Sequence, residues 1–206
     1  MTEHNLIDKR QYGFRENHST ELAITNIYDE LLRNFDHKLI TCSLFLDLSK
    51  AFDCCDHEIL LDKLYHYGIR GVSHNLFSNF LHNRMQCTKI GAFKSSYKRI
   101  SCGVPQGSVI SPLLFLIYIN DITKASSFHT TPFADDVNLH MSNSCFNVLQ
   151  TTANLELCKI NHWPGPSPGF SSRGGQKPGE AINQKGGHIF KIQYWMYAAT
   201  GGPNVK

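Results

Sequence analysis

Phe133-Ala134-Asp135-Asp136-Val137 is the stretch on which the reading of this chain turns. Two adjacent carboxylates sit between short apolar arms, residues 130–133 and 137–139, whose β-prone composition predicts a tight hairpin with both charges at its tip. Acid pairs in turns are common, because Asp bonds its own backbone and tolerates turn geometry. Taken alone the pair is an ordinary turn, and only a carboxylate brought to it from elsewhere gives it chemical meaning.

Such a carboxylate stands 88 positions upstream, at Asp47. Residues 39–48 carry Ile40, Cys42, Leu44, Phe45 and Leu46 with little polar alternation, the pattern of a strand covered on both faces, and Asp47 lies at its carboxyl end. If that strand joins the hairpin in one sheet, three carboxylates converge. Like charges raise one another's pKa unless a cation neutralises them, and hard divalent ions take carboxylate and phosphate oxygens together. Two such ions clamp the attacking hydroxyl and the leaving pyrophosphate of an in-line displacement, so no side-chain nucleophile is needed. Three surface aspartates at strand ends, or a two-metal nuclease, fit the same spacing.

The frame around these residues is that of a globular chain. Its 206 residues are 41% hydrophobic and 18% charged, enough to bury a core. The net charge of +3 neither demands nor excludes a nucleic-acid partner. Seven Cys form no CxxC pair and no signal peptide is legible, so reduced thiols in an intracellular protein are expected. Cys158 and His162 are the nearest approach to a metal pattern, without a second pair to complete it. The longest apolar run, residues 109–119, includes Ser111 and Pro112 and is too short to span a bilayer.

Helix signals punctuate the chain. Ser19 caps a helix with Glu21 in its first turn and Ile24, Ile27, Tyr28, Leu31, Leu32 and Phe35 at helical spacing, a face expected to pack on a core. Asp56 caps a second, which carries Ile59, Leu60, Leu64 and Tyr67 and is stopped by Gly68; a third is expected over residues 73–83. Two strand-like segments, about residues 86–91 and 96–100, lead into Gly103-Val104-Pro105-Gln106-Gly107-Ser108, a loop whose glycines let backbone approach a ligand. Ser111 and Pro112 start a helix that is apolar nearly all round, and a last helix from about Ser144 turns Phe146, Leu149, Ala153, Leu157 and Ile160 inward. Beyond Trp163 the character changes. Residues 164–206 hold nine of the 15 Gly and five of the 8 Pro and carry a net +4, which predicts a disordered tail; residues 188–197 are its one apolar stretch, a lone strand with no evident partner.

Four blocks in order carry a resemblance. Gln11-Tyr12-Gly13-Phe14-Arg15 with Ser19-Thr20, then Phe45-Leu46-Asp47-Leu48-Ser49-Lys50-Ala51-Phe52-Asp53, then Gly103-Val104-Pro105-Gln106-Gly107-Ser108 with Ser111-Pro112-Leu113-Leu114-Phe115, then Phe133-Ala134-Asp135-Asp136 resemble the reverse transcriptase of non-LTR (LINE-type, jockey-like) retrotransposons. The resemblance implies an α+β polymerase palm: a mainly antiparallel sheet with the aspartates at one edge and helices packed on the opposite face. Residues 1–38 become a partial fingers segment and residues 39–163 the palm. It implies RNA-directed DNA polymerase activity with an RNA template, a DNA primer and dNTP, and two Mg²⁺ or Mn²⁺ ions. Asp47 and Asp135 become ion ligands with Asp136 in support and the carbonyl of Leu48 as a further oxygen. Phe52 resembles a steric gate, a ring that leaves no room for a 2′-hydroxyl, and a core Phe is its other reading. Gln106 and Gly107, with Gly103 and Pro105, resemble the loop beneath nucleotide and template, while Lys50 and Arg15 either face phosphates or are solvated surface charge.

The departures from that pattern are as definite. Ten residues precede the first block, where the family carries basic finger residues, and Pro164-Gly165-Pro166 stands where the family continues into its thumb. A truncated, catalytically inactive remnant or a nucleic-acid-binding palm fragment is therefore the alternative to an active polymerase domain.

Overall fold

A computed structural model describes residues 6–48 and 50–163 together with the backbone of 190–197. The described residues divide into two compact units, one of residues 6–48, 119–163 and 190–197, the other of residues 50–118.

The first unit is built on a four-stranded antiparallel sheet in the order β6-β7-β1-β8, with β1 at Ile40–Leu48, β6 at His129–Phe133, β7 at Asp136–Asn143 and β8 at Phe190–Tyr197. Alternation gives the sheet two chemically different faces. Cys42, Leu44 and Leu46 of β1 and Val137 and Leu139 of β7 form one core with Leu149, Ala153, Leu157 and Ile160 of helix α5, Phe146–Asn161. These are four of the five inward positions that periodicity predicts for α5; the fifth, Phe146 at its first turn, is half-buried and outside this core. The other face carries Thr41, Ser43, Phe45 and Asp47 of β1 and Asp136, Asn138, His140 and Ser142 of β7, paired Thr41↔Ser142 through Asp47↔Asp136.

Helix α1, Thr20–Asp36, begins where its cap predicts, with Ser19 Oγ accepting from Leu22 N at 3.2 Å. It lies over the far end of the polar face, where Ser142 Oγ donates to Asn34 Oδ1 at 3.3 Å. Helices therefore cover both faces of the sheet, not one. The buried side of α1 takes only part of the apolar stripe: Ala23 and Asn34 are buried and Ile27 and Leu31 half-buried, whereas Ile24, Tyr28, Leu32 and Phe35 are exposed. The helix meets a polar sheet face, and that face selects a small residue and an amide from it.

β8 overturns the expectation of a lone strand. Phe190–Tyr197 pairs antiparallel with β1 from Thr41↔Tyr197 to Leu48↔Phe190. The backbone groups of β1 on the side away from β7 form an open ladder, and an extended apolar segment completes it. The rest of the expected tail, 164–189 and 198–206, lies outside the described residues.

In the second unit Asp56 caps α2, His57–His66, through Glu58 N and Ile59 N, and α3 runs Gly71–Leu81. Two short ladders follow, β2 (Met85–Gln86) with β5 (Lys98–Arg99) and β3 (Lys89–Ile90) with β4 (Phe93–Lys94). Helix α4, Ser111–Ile119, is buried at every position from Leu114 to Ile119, as its all-round apolar sequence predicts. Lys63 Nζ donates to the Tyr118 carbonyl at 2.6 Å, giving α2 a polar tie to α4. Among the described residues no helix is long and apolar enough to cross a membrane.

Candidate active site

The acidic hairpin is tighter than its sequence suggests. Phe133 pairs with Asp136, so Ala134 and Asp135 alone make the turn and Asp136 opens β7. A two-residue hairpin needs a positive φ at its first central position, normally supplied by Gly, and here Ala134 adopts φ 56°. A non-glycine residue there costs about 1–2 kcal/mol unless its surroundings impose it.

Those surroundings are the first sequence block. Gln11, 3% exposed, places Oε1 between two amides, accepting from Gly13 N at 2.8 Å and from Ala134 N at 3.1 Å. Tyr12 N donates to the Pro132 carbonyl at 2.9 Å. β6 is an edge strand, which is why it tolerates Pro132 and leaves that carbonyl free to accept. Gly13 passes so close that a Cβ there would meet Ala134 N at 2.1 Å. Gln11 thus braces the hairpin, a role that nothing local in the sequence marks, since a single buried amide has no periodicity.

Register then sets the carboxylates. Asp47 of β1 is the direct partner of Asp136 of β7, with both exposed on the same face and Asp135 adjacent in the turn. Partners across antiparallel strands lie about 4.5–5.5 Å apart at Cα. Among the described residues no cation pairs with any of the three. Their oxygens spread wider than 4.8 Å as a set, as expected of like charges. Burial first, then Asp135 and Asp47, push the Asp136 carboxyl above its ordinary range. Hard oxygen donors that repel one another without a cation fit Mg²⁺ or Mn²⁺, whose remaining positions suit phosphate oxygens and water.

The sign of that repulsion is testable. A carboxyl whose pKa is raised on folding favours the fold while protonated, and the advantage is lost as pH rises through the folded value. In chelator at pH 7, Asp136→Asn is expected to raise the melting temperature by up to about 2–4 °C, since the exposed charge is worth under about 1 kcal/mol. The gap should close as the pH falls through the carboxylate range. A lower melting temperature for the variant at pH 7 would mean that the carboxylates do not repel.

The remaining expected residues fall into two groups. In the first unit, Leu48 is buried at the end of β1, and Arg15 Nη1 donates to the carbonyls of Asp8 at 2.9 Å and Gln11 at 3.2 Å. Arg15 thus braces the loop that carries Gln11. In the second unit, Lys50 is exposed at φ 56° and caps a single 3-10 turn, Ala51–Cys54, that carries Phe52. The half-buried Phe52 ring stacks on buried Phe115, with centroids 4.4 Å apart and planes at 23°. Val104 N donates to the Phe52 carbonyl and Gly103 N to that of Cys55, each at 2.7 Å, while His57 Nε2 donates to the Gly103 carbonyl at 2.8 Å. Gln106 Nε2 reaches Asp53 Oδ1 at 2.9 Å, and the Pro105 carbonyl accepts from Ser111 Oγ at 2.5 Å. Gly107, at φ 80°, meets nothing within 4 Å of its missing Cβ. The loop and the aromatic residue are thereby joined in one seam.

Comparison with known proteins agrees with this anatomy. Residues 1–163 match the family described as reverse transcriptase (RNA-dependent DNA polymerase). The chain is 29% identical over 161 residues to a probable RNA-directed DNA polymerase from transposon BS of Drosophila melanogaster, covering 71% of this chain and 17% of that protein. It is 30% identical over 151 residues to the probable RNA-directed DNA polymerase from transposon X-element of the same organism, covering 70% and 16%. To the RNA-directed DNA polymerase from mobile element jockey it is 31% identical over 124 residues, covering 56% and 13%. The chain therefore spans less than a fifth of the length of these relatives. With the motif blocks, the hairpin and the paired strand in place, the chain belongs to the reverse transcriptase family.

Proposed function

We propose that this chain is the palm-bearing part of an RNA-directed DNA polymerase that adds dNTP to a primer 3′-end on an RNA template. The observation that carries this reading is the register Asp47↔Asp136 beside the two-residue turn at Asp135, which sets three oxygen donors at one open sheet end. Divalent ions bound there, Mg²⁺ in the first instance, supply charge neutralisation for the primer oxyanion and the leaving pyrophosphate. Asp47 and Asp135 hold and orient that charge, with Asp136 and the Leu48 carbonyl completing the oxygen set. In the reaction the primer 3′-oxygen bonds to the α-phosphorus of the dNTP, the bond to pyrophosphate breaks, and the hydroxyl proton passes to solvent. Phe52 serves as the 2′-hydroxyl gate: with one ring face fixed by Phe115, it cannot swing away from a bulkier sugar. Gln106 and its glycines form the floor under nucleotide and template.

The test is Mg²⁺-dependent incorporation of dNTP on an RNA template. Asp135→Asn is expected to lose about 10³-fold in rate or more, since the ligand lost stabilises the transition state by several kcal/mol. Incorporation that survives the substitution would remove Asp135 from the chemistry. The same assay weighs the second reading, a palm that binds nucleic acid without extending it. Retained RNA binding with no extension in the unsubstituted chain would select it.

A further inference from the structure

Four residue pairs from the acidic tip, about 13 Å down the hairpin by strand rise, His129 stands opposite His140 on the polar face of the sheet. The two rings lie with centroids 4.4 Å apart and planes tilted by 32°. Helix α1 brings Glu30 over them. One ligand atom from each of Glu30, His129 and His140 lies within 4.8 Å of the other two, and no other trio of His, Cys, Asp or Glu does so among the described residues.

The protonation of His140 follows from its neighbours. Asn138 Nδ2 donates to the Leu44 carbonyl at 3.3 Å, which turns Asn138 Oδ1 toward His140 Nδ1 at 3.2 Å. An amide oxygen only accepts, so Nδ1 carries the proton and Nε2 presents a lone pair. His140 is 1% exposed, and that Nε2 has no hydrogen-bond partner. Burial, and then His129, hold the ring neutral by pushing its pKa down to about 4. An imidazole fixed through one nitrogen with the other left bare is how proteins present a metal ligand. Two more buried polar atoms without partners, Ser43 Oγ and Thr131 Oγ1, lie on the same sheet face, and Ser43 is the register partner of His140 on β1.

We propose that Glu30, His129 and His140 form a metal site separate from the aspartate tip, taking a borderline divalent ion of the Zn²⁺ kind through two imidazole nitrogens and one carboxylate oxygen. Zn²⁺ suits this donor set and leaves a fourth position for water, whereas the tip's all-oxygen set suits Mg²⁺. Tetrahedral bonds of about 2.1 Å place ligand atoms about 3.4 Å apart, so binding draws the three side chains together. Glu30 Oε2 already bonds Arg33 Nη2 at 2.8 Å, which leaves Oε1 as the ligating oxygen. The ion would staple α1 to the β6–β7 hairpin, alongside the bond between Ser142 and Asn34.

The test uses the full 206-residue chain, stripped with chelator and titrated with Zn²⁺ alone, and then with Co²⁺ as an optical probe. One equivalent of Zn²⁺ is expected to raise the melting temperature, and the Co²⁺ spectrum should lack a thiolate charge-transfer band. Glu30→Gln and His129→Gln should each weaken Zn²⁺ binding about tenfold or more, while Asp135→Asn leaves it unchanged. Glu30→Gln sits on a helix surface and should melt like the unsubstituted chain without metal, which separates ligand loss from misfolding. Zn²⁺ affinity unaltered in both ligand variants, absence of Zn²⁺ binding, or a thiolate band from the seven free cysteines would each overturn the proposal.

Discussion

Gly13→Ala is expected to lower the melting temperature by about 6–12 °C, corresponding to about 3 kcal/mol or more of overpacking. A Cβ at this position would lie 2.1 Å from Ala134 N, 2.7 Å from its Cα and 2.9 Å from its Cβ. The first two are backbone atoms, so no rotamer change relieves the clash. Either the segment 11–13 or the hairpin must move, and both share the Gln11 amide: Oε1 accepts from Gly13 N and Ala134 N together. Parting them leaves buried N–H groups without acceptors, at about 1–3 kcal/mol each. It also frees Ala134 from the contacts that hold its positive φ, so the turn bearing Asp135 relaxes. Thermal melts of Gly13→Ala with and without Mg²⁺ check this. A variant melting within about 2 °C of the parent would show that the first block does not clamp the hairpin.

Local signals were the most legible part of this fold. Ser19 and Asp56 each cap a helix through their own side chain, because a cap needs only the residues beside it, whereas Ser111, expected as the N-cap of α4, is its first helical residue and donates Oγ to the Pro105 carbonyl. The inward face of α5 follows from period at Leu149, Ala153, Leu157 and Ile160, which meet an apolar sheet face. Period is only partly right at α1, where Ile27 and Leu31 of the expected stripe are half-buried, Ile24, Tyr28, Leu32 and Phe35 are exposed, and Asn34 is buried. Which side of a helix is covered depends on what covers it, and the sheet face beneath α1 is polar. The strand at 190–197 was recognisable as apolar, but its pairing with β1 is non-local and carries no local mark. His129 and His140 were within reach: once the turn is confined to Ala134 and Asp135, counting outward pairs 133 with 136 and 129 with 140. The convergence of Asp47 on the tip depends on the same kind of register, set by the β1–β7 pairing rather than by anything near residue 47.

Gly103→Ala should be the corresponding disruption in the second unit, lowering its stability by about 2–4 kcal/mol. Two penalties coincide there. Gly103 sits at φ 90°, a conformation an L-residue rarely adopts, and an added Cβ would lie 2.7–2.9 Å from the Asp53 carbonyl oxygen, Cα and carbonyl carbon. Its N–H and carbonyl are both engaged, with Cys55 and His57, so the residue cannot rotate to relieve the clash without giving up those bonds. Gly107 is the internal comparison, for it has φ 80° but open space where a Cβ would go. Gly107→Ala incurs only the conformational cost, about 1 kcal/mol. Thermal melts should therefore order the variants with Gly103→Ala well below Gly107→Ala. Because Val104 bonds the Phe52 carbonyl beside the same contact, Gly103→Ala should also loosen Phe52 and, under the proposed role of Phe52 as the 2′-hydroxyl gate, raise rNTP incorporation relative to dNTP more than Gly107→Ala does. Equal losses in the two variants would mean that backbone conformation alone matters, and that the close approach of the glycine loop to Asp53 does not position the aromatic residue.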